Sequence, residues 1–193
     1  MGSLIVAGVT KPDGLYGAIG STDPSDIELA AITGPGKVRV GAALSAFDQW
    51  ALDNGLTGPD ALPSADPDHD GDSNLDEFAL SGNPASGSDS PGRFAKTADT
   101  NGDGVSELTL TIQVRSGASF TANNNDLIAT VDGITCRIEG SLNLATFDSP
   151  VSEVTPHPGT GAPRAGYQFK TFRLDASNGA AGRGFLRVHV TAP

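Results

Sequence analysis

The stretch Leu127-Ile128-Ala129-Thr130-Val131-Asp132-Gly133-Ile134-Thr135-Cys136-Arg137-Ile138-Glu139 carries the pattern that decides the fold. Two runs rich in β-branched residues flank Asp132-Gly133, which reads as a hairpin closed by a two-residue turn. In the second run Ile134, Cys136 and Ile138 alternate with polar neighbours, so they form the inward set. Upstream, Leu108, Leu110, Ile112 and Val114 alternate with Thr109, Thr111, Gln113 and Arg115, the signature of a half-buried strand. Residues 151–155, 167–174 and 184–191 supply three more strands between Gly- and Pro-rich loops. About seven strands within residues 87–193 predict an antiparallel β-sandwich of the immunoglobulin or fibronectin-III type.

Composition agrees with a mainly β chain: 25 Gly and 13 Pro among 193 residues favour short strands joined by turns. A net charge of −11 and a pI near 4.4 argue against nucleic acid as a partner, since phosphates would be repelled. The 12 Lys and Arg form no stripe, and acidity of this kind suits extracellular solubility and cation binding. A single cysteine, Cys136, excludes an internal disulfide framework and a cysteine-rich zinc site. At its inward strand position it reads as a small core hydrophobe. No apolar run is long enough to span a membrane. Met1-Gly2-Ser3 lacks the basic and apolar regions of a signal peptide, so the expectation is a fragment of a larger protein.

Chemistry is concentrated at residues 66–77, DPDHDGDSNLDE, which fit the calcium-loop pattern D-x-[DN]-x-[DN]-G-x5-E at every defined position. Asp66, Asp68 and Asp70 stand at loop positions 1, 3 and 5 to offer carboxylates. Gly71 permits the sharp turn, Asp72 presents its carbonyl, Asn74 can hold a ligand water, and Glu77 closes the shell with both oxygens. Before the loop, Leu44, Phe47, Trp50 and Ala51 recur at helical spacing, with Trp50 as the core anchor. Gly55 stops that helix, and Gly58, Pro59 and Pro63 make a linker that delays the loop. After it, Leu75, Phe78 and Ala79 mark a short exit helix ended by Gly82 and Pro84. Residues 42–86 thus read as a helical, single EF-hand-like calcium linker, and 85–92 as a flexible boundary. Residues 1–41 read as a short β segment, with turns at Pro12-Asp13-Gly14 and Gly34-Pro35-Gly36.

A second candidate cation loop is Asp99-Thr100-Asn101-Gly102-Asp103-Gly104-Val105-Ser106-Glu107. There Asp99, Asn101, Asp103 and Glu107 would offer side chains and Val105 its carbonyl. The plain alternative is an acidic hairpin turn that needs no metal. His69, His157 and His189 do not converge in sequence, and neither H-E-x-x-H nor G-x-S-x-G occurs. The expectation is a protein without catalytic residues.

Three stretches carry resemblances. LIVAGVTKPDGLYGAIG followed by ITGPGKVRV, about a fifth of the chain, resembles the last rung of autotransporter-associated β-strand repeats of large bacterial secreted proteins. FDQWALDNGL with DPDHDGDSNLDEFALSGNP resembles a linker of such surface proteins, and is similar to the calcium loops of dockerins and thrombospondin type 3 repeats. Ser73 stands where paired EF-hands carry Ile or Val, which disfavours cooperative sensing. CRIEGSLNLATF and FKTFRLDASNGAAGRGFLRVHVT resemble a C-terminal β module of the same proteins, with Cys136 and Phe147 where aromatics are usual. These resemblances imply a Ca²⁺-binding structural module at the cell surface or outside the cell. The rival expectation is an adhesion module that takes a surface glycan or a protein partner, with Tyr167, Phe169 and Phe172 as the aromatics to examine. A further variant keeps the loop and changes the ion, since Pro67 is similar to its counterpart in lanthanide-binding EF-loops.

Overall fold

The computed structural model describes residues 4–7, 9–19, 27–33, 37–40, 44–154, 161–175 and 183–192. The chain divides between Leu44 and Ser45 into two compact units. It is mainly β with a small helical part, as the sequence pattern predicts.

In the N-terminal unit β1 (Ile5–Val6) pairs antiparallel with β2 (Val9–Thr10). A second sheet has the order β4–β3–β5, formed by Ile27–Glu28, Gly14–Gly17 and Val38–Val40. Its central strand runs parallel to β4 and antiparallel to β5. Tyr16 and Val40 are buried, and the Tyr16 hydroxyl donates to the Pro12 carbonyl at 2.9 Å. The turn expected at 34–36 lies outside the described residues.

The second unit opens with α1 (Ala46–Asp53), a 3₁₀ turn (Gly58–Ala61) and α2 (Asn74–Leu80). Eight strands follow among the described residues: β6 (Arg93–Ala98), β7 (Glu107–Arg115), β8 (Thr121–Asn123), β9 (Asp126–Val131), β10 (Ile134–Ser141), β11 (Val151–Val154), β12 (Tyr167–Leu174) and β13 (Phe185–Thr191). They make two four-stranded antiparallel sheets, β11–β12–β7–β6 and β13–β10–β9–β8. The last strand lies beside β10, while the immunoglobulin order places the last two strands side by side.

The hairpin behaves as its sequence dictates. Ile134 pairs with Val131, and Asp132 and Gly133 have φ of 52° and 81°. Two successive left-handed residues are what a type I′ turn needs, and its twist matches that of the flanking strands. Ile134, Cys136 and Ile138 are buried, facing a core to which Leu110, Ile112, Val114, Phe172 and Leu174 contribute from the other sheet. Phe120 and Phe172 stack edge to face at 4.7 Å. Strand β7 departs from the half-buried expectation, because Thr109 and Thr111 are buried as well. Their hydroxyls are satisfied locally: Thr109 donates to the Lys96 carbonyl at 2.9 Å, and Thr111 shares a 2.8 Å bond with its cross-strand partner Thr171. A hydroxyl with a partner can be buried at small cost, so alternation of Thr with aliphatics does not by itself mark a wet face.

The helices join the same core. Ser45 caps α1, accepting from the Asp48 amide at 3.0 Å. Phe47, Trp50 and Phe78 form a cluster with ring centroids 5.5–5.7 Å apart, which fixes α1 to α2 and gives Trp50 its anchoring role. In turn α2 packs against β7 and β13, one strand from each sheet. Arg115, at the end of β7, lies over the rings of Phe78 and Tyr167 and pairs with Asp132 in the hairpin turn at 2.7 Å. His69 and His189 are exposed, and His157 lies outside the described residues.

Two expected outcomes follow from this core. Phe172→Ala should destabilise the sandwich by about 3–5 kcal/mol in denaturant unfolding, the range for losing a buried phenylalanine. Burial pushes the Cys136 thiol up to about 12, with Asp76 adding to the effect. A soluble thiol reagent should therefore label Cys136 only after the protein is unfolded.

Candidate metal centre

The acidic loop is closed at its base by the main chain. The amide of Asn74 donates to the Ala65 carbonyl at 2.8 Å, and that of Leu75 to Pro63 at 2.9 Å. The Asn74 side-chain amide reaches further back, to the carbonyls of Asp60 at 2.7 Å and Leu62 at 2.9 Å. The Gly- and Pro-rich linker is thus an ordered 3₁₀ turn tied to the loop, standing where an entering helix would normally be. The Nδ2 atom of Asn74 is committed to these bonds, while its buried Oδ1 has no partner among the described residues.

Within the loop, backbone amides gather the carboxylates. The amides of Asp70 and Gly71 donate to Asp66 at 3.2 and 3.0 Å, and that of Asp72 to Asp70 at 2.8 Å. Gly71 has φ of 95°, which a side chain would strain. Carboxylate oxygens of Asp66, Asp68 and Asp70 come within 4.8 Å of one another. The side chain of Asp72 turns away to an ion pair with Arg93.

Glu77 sits on α2, whose N-cap Ser73 accepts from the Asp76 amide and donates to its carboxylate at 2.7 Å. Glu77 stands outside the tight group of three aspartates, yet it is near enough to be repelled by them. It is fully buried, and neither carboxylate oxygen has a hydrogen-bond partner among the described residues; the same holds for Oδ2 of Asp68. Desolvation, followed by the charges of Asp68, Asp70, Asp72 and Asp66, raises its pKa from 4.5 to about 8. An unpaired buried charge costs several kcal/mol (~3–5), so this carboxylate needs either a proton or a cation. The donor set fits a hard cation: carboxylate oxygens converge, and among the described residues no histidine or cysteine joins them.

The second loop also brings acids together. Carboxylate oxygens of Asp99, Asp103 and Glu107 lie within 4.8 Å of one another, so this cluster too could hold a metal ion. Most of its carboxylate oxygens, however, are already engaged. Asp99 takes the amides of Gly102 at 2.7 Å and Gly104 at 3.0 Å, which, with Gly104 leading, hold its carboxyl below the usual range. Glu107 takes both the amide and the hydroxyl of Thr100, at 3.0 and 2.8 Å. Asn101 donates to Asp103 at 2.9 Å, and the Val105 amide donates to Asp103 at 2.7 Å. Among the described residues, the buried polar atoms without partners belong to the first loop and the helix after it, and none to this turn.

Residues 85–92, expected to be a flexible boundary, are folded by turns against the first loop. The Asp89 amide donates to Ser86 at 2.8 Å and that of Gly92 to Leu80 at 2.9 Å, while the Ser90 hydroxyl reaches Asp70 at 3.3 Å. Pro84 and Pro91 are buried. Composition hid this, because Gly, Ser and Asp serve a tight cover as readily as a loose linker.

The aromatic row that a glycan site would need does not assemble. Phe172 is in the core, the Tyr167 hydroxyl donates to the Phe78 carbonyl at 2.9 Å, and Phe169 is half-buried against Phe94. Among the described residues Phe94 is the one exposed phenylalanine. No described helix is long and apolar enough to cross a membrane. Compared with protein-family models, curated proteins and solved structures, the chain matches none.

With divalent ions chelated, the folded protein keeps the Glu77 proton between pH 4.5 and about 8, where the unfolded chain has lost it. The folded state then binds more protons, so stability falls as pH rises, by up to about 1.4 kcal/mol per pH unit from this group. Unfolding free energies of chelated protein from pH 5 to 8 should show this decline, and Glu77→Gln should flatten it.

Proposed function

We propose that this chain is a non-enzymatic, calcium-stabilised structural module of an extracellular or cell-surface protein, of the bacterial kind its sequence resembles. The observation that carries this reading is Glu77, a fully buried carboxylate with no partner for either oxygen among the described residues, beside three converging aspartates. Asp66, Asp68, Asp70 and Glu77 would hold the ion, with the carbonyl of Asp72 as a further donor. A bound Ca²⁺ supplies the positive charge that lets Glu77 stay ionised in the core. Because Glu77 is on α2, and α2 packs on both sheets, that charge balance stiffens the helical segment by which the chain enters the sandwich.

A structural role is favoured over sensing by the same packing. Phe78, Ala79 and Leu80, directly after the ligand position, are fully buried. A sensor must move its exit helix to expose a new surface, and this helix is already committed to the core.

The test is a melting comparison. With calcium at about a hundredfold over its dissociation constant, the wild type should melt roughly 5–10 °C higher than in chelator. Glu77→Gln should lose that gain, yet in chelator at pH 8 it should melt no lower than the wild type, since it removes the unpaired charge. Identical wild-type melts in calcium and chelator would sink the proposal.

A further inference from the structure

The turns at 82–92 press on the acidic loop at two points where a side chain is missing. A Cβ on Gly82 would stand 2.7 Å from Cγ and 2.9 Å from Oε1 of Glu77. One on Gly87 would stand 2.9 Å from Cβ of Asp70 and 3.9 Å from the Asp68 carbonyl. Neither glycine has a left-handed φ, so space, and not backbone freedom, requires glycine here. Both contacts are rigid, because Cβ of Glu77, 2.8 Å from the Gly82 position, and Cβ of Asp70 are each fixed to the backbone. This cover is anchored at several places: Asp89 pairs with Arg164, Arg93 with Asp72, and Gly92 is bonded to Leu80. Paired calcium loops brace each other through position 8, but here that residue, Ser73, is the N-cap of α2.

We propose that 82–92 is the built-in brace of a lone loop, and that Gly82 and Gly87, which offer no side-chain ligand, fix the cation site to a Ca²⁺-sized ion in preference to Mg²⁺. This rests on the calcium reading above. Mg²⁺ demands near-octahedral geometry, sheds water reluctantly and usually keeps several waters, whereas Ca²⁺ accepts six to eight oxygens in a looser shell. With Gly82 seated on Glu77, that ligand has no solvent exposure, and a side chain at 82 would collide with it. The close-packed turns thus penalise the ion that must stay hydrated, and they set where Asp70 and Glu77 stand when the ion arrives.

The experiment is calorimetric titration of the full chain with Ca²⁺ and, separately, Mg²⁺, for wild type and Gly87→Ala. The variant should lose about 10–100-fold in Ca²⁺ affinity while its Mg²⁺ affinity hardly changes, so that the preference shrinks. Equal losses for both ions would show a merely structural role and overturn the proposal, as would an unchanged preference. Hydrogen exchange on the wild type needs no variant: amides of 82–92 should slow when Ca²⁺ replaces chelator, and unchanged exchange would also overturn it. A wild type that binds neither ion would overturn the calcium reading and the brace together. Wild-type binding with an unmoved preference in Gly87→Ala overturns the brace alone.

Discussion

A carboxylate buried without a partner is the constraint around which the second unit is arranged. Glu77 cannot move to water, because Phe78, Ala79 and Leu80 beside it are locked into the sandwich core. Nor does it meet a donor among the described residues, where neither oxygen is bonded. The loop before it collects three aspartates at close range, which makes matters worse for an anion and better for a cation. The same residues therefore form either a defect or a site, and the difference is one hard ion. Apolar packing brings Glu77 to its place, and electrostatics then dictates what must accompany it there.

The two acidic clusters separate motif from need. Both bring three carboxylates within 4.8 Å, and both obey a cation-loop spacing. In the loop at 99–107 the backbone amides of Gly102 and Gly104 and the groups of Thr100 already serve the acceptors, and most of that loop is exposed. Water and amides can stabilise such a turn at any metal concentration. At 66–77 the amides also gather the aspartates, but the closing glutamate is sealed off from water and meets no donor among the described residues. Sequence spacing is blind to that distinction, which depends on burial.

Much of the fold was legible because period and turn chemistry act locally. Asp132-Gly133 between β-branched runs gives the hairpin, and Ile134, Cys136 and Ile138 give its buried face. The aromatic spacing of Phe47 and Trp50 gives α1 and its anchor. What stayed hidden depends on long-range contact. The turns at 82–92 and the 3₁₀ turn at 58–61 look like linkers until Asn74, Glu77 and Asp70 are placed against them. Arg115 reads as an outward strand residue, and only the fold sets it over Phe78 and Tyr167. The candidate ligands were legible from spacing, whereas the brace around them was not, because steric fit of a missing side chain leaves no periodic trace.

The strand order carries a consequence for how the protein is made. The loop at 66–77 is local and closes within a dozen residues, so its backbone can turn early and quickly. Its glutamate, however, is sealed by a helix that packs on β13 as well as β7. Strand β13 pairs with β10 across roughly 50 residues of chain, and β12 with β7 across a similar distance. Closures of that length are slow steps in the folding of β proteins. The surroundings of Glu77 thus reach their final form only when β13 has docked. Until then the acidic loop stands open to water, and Glu77 is sealed only as the sandwich is completed.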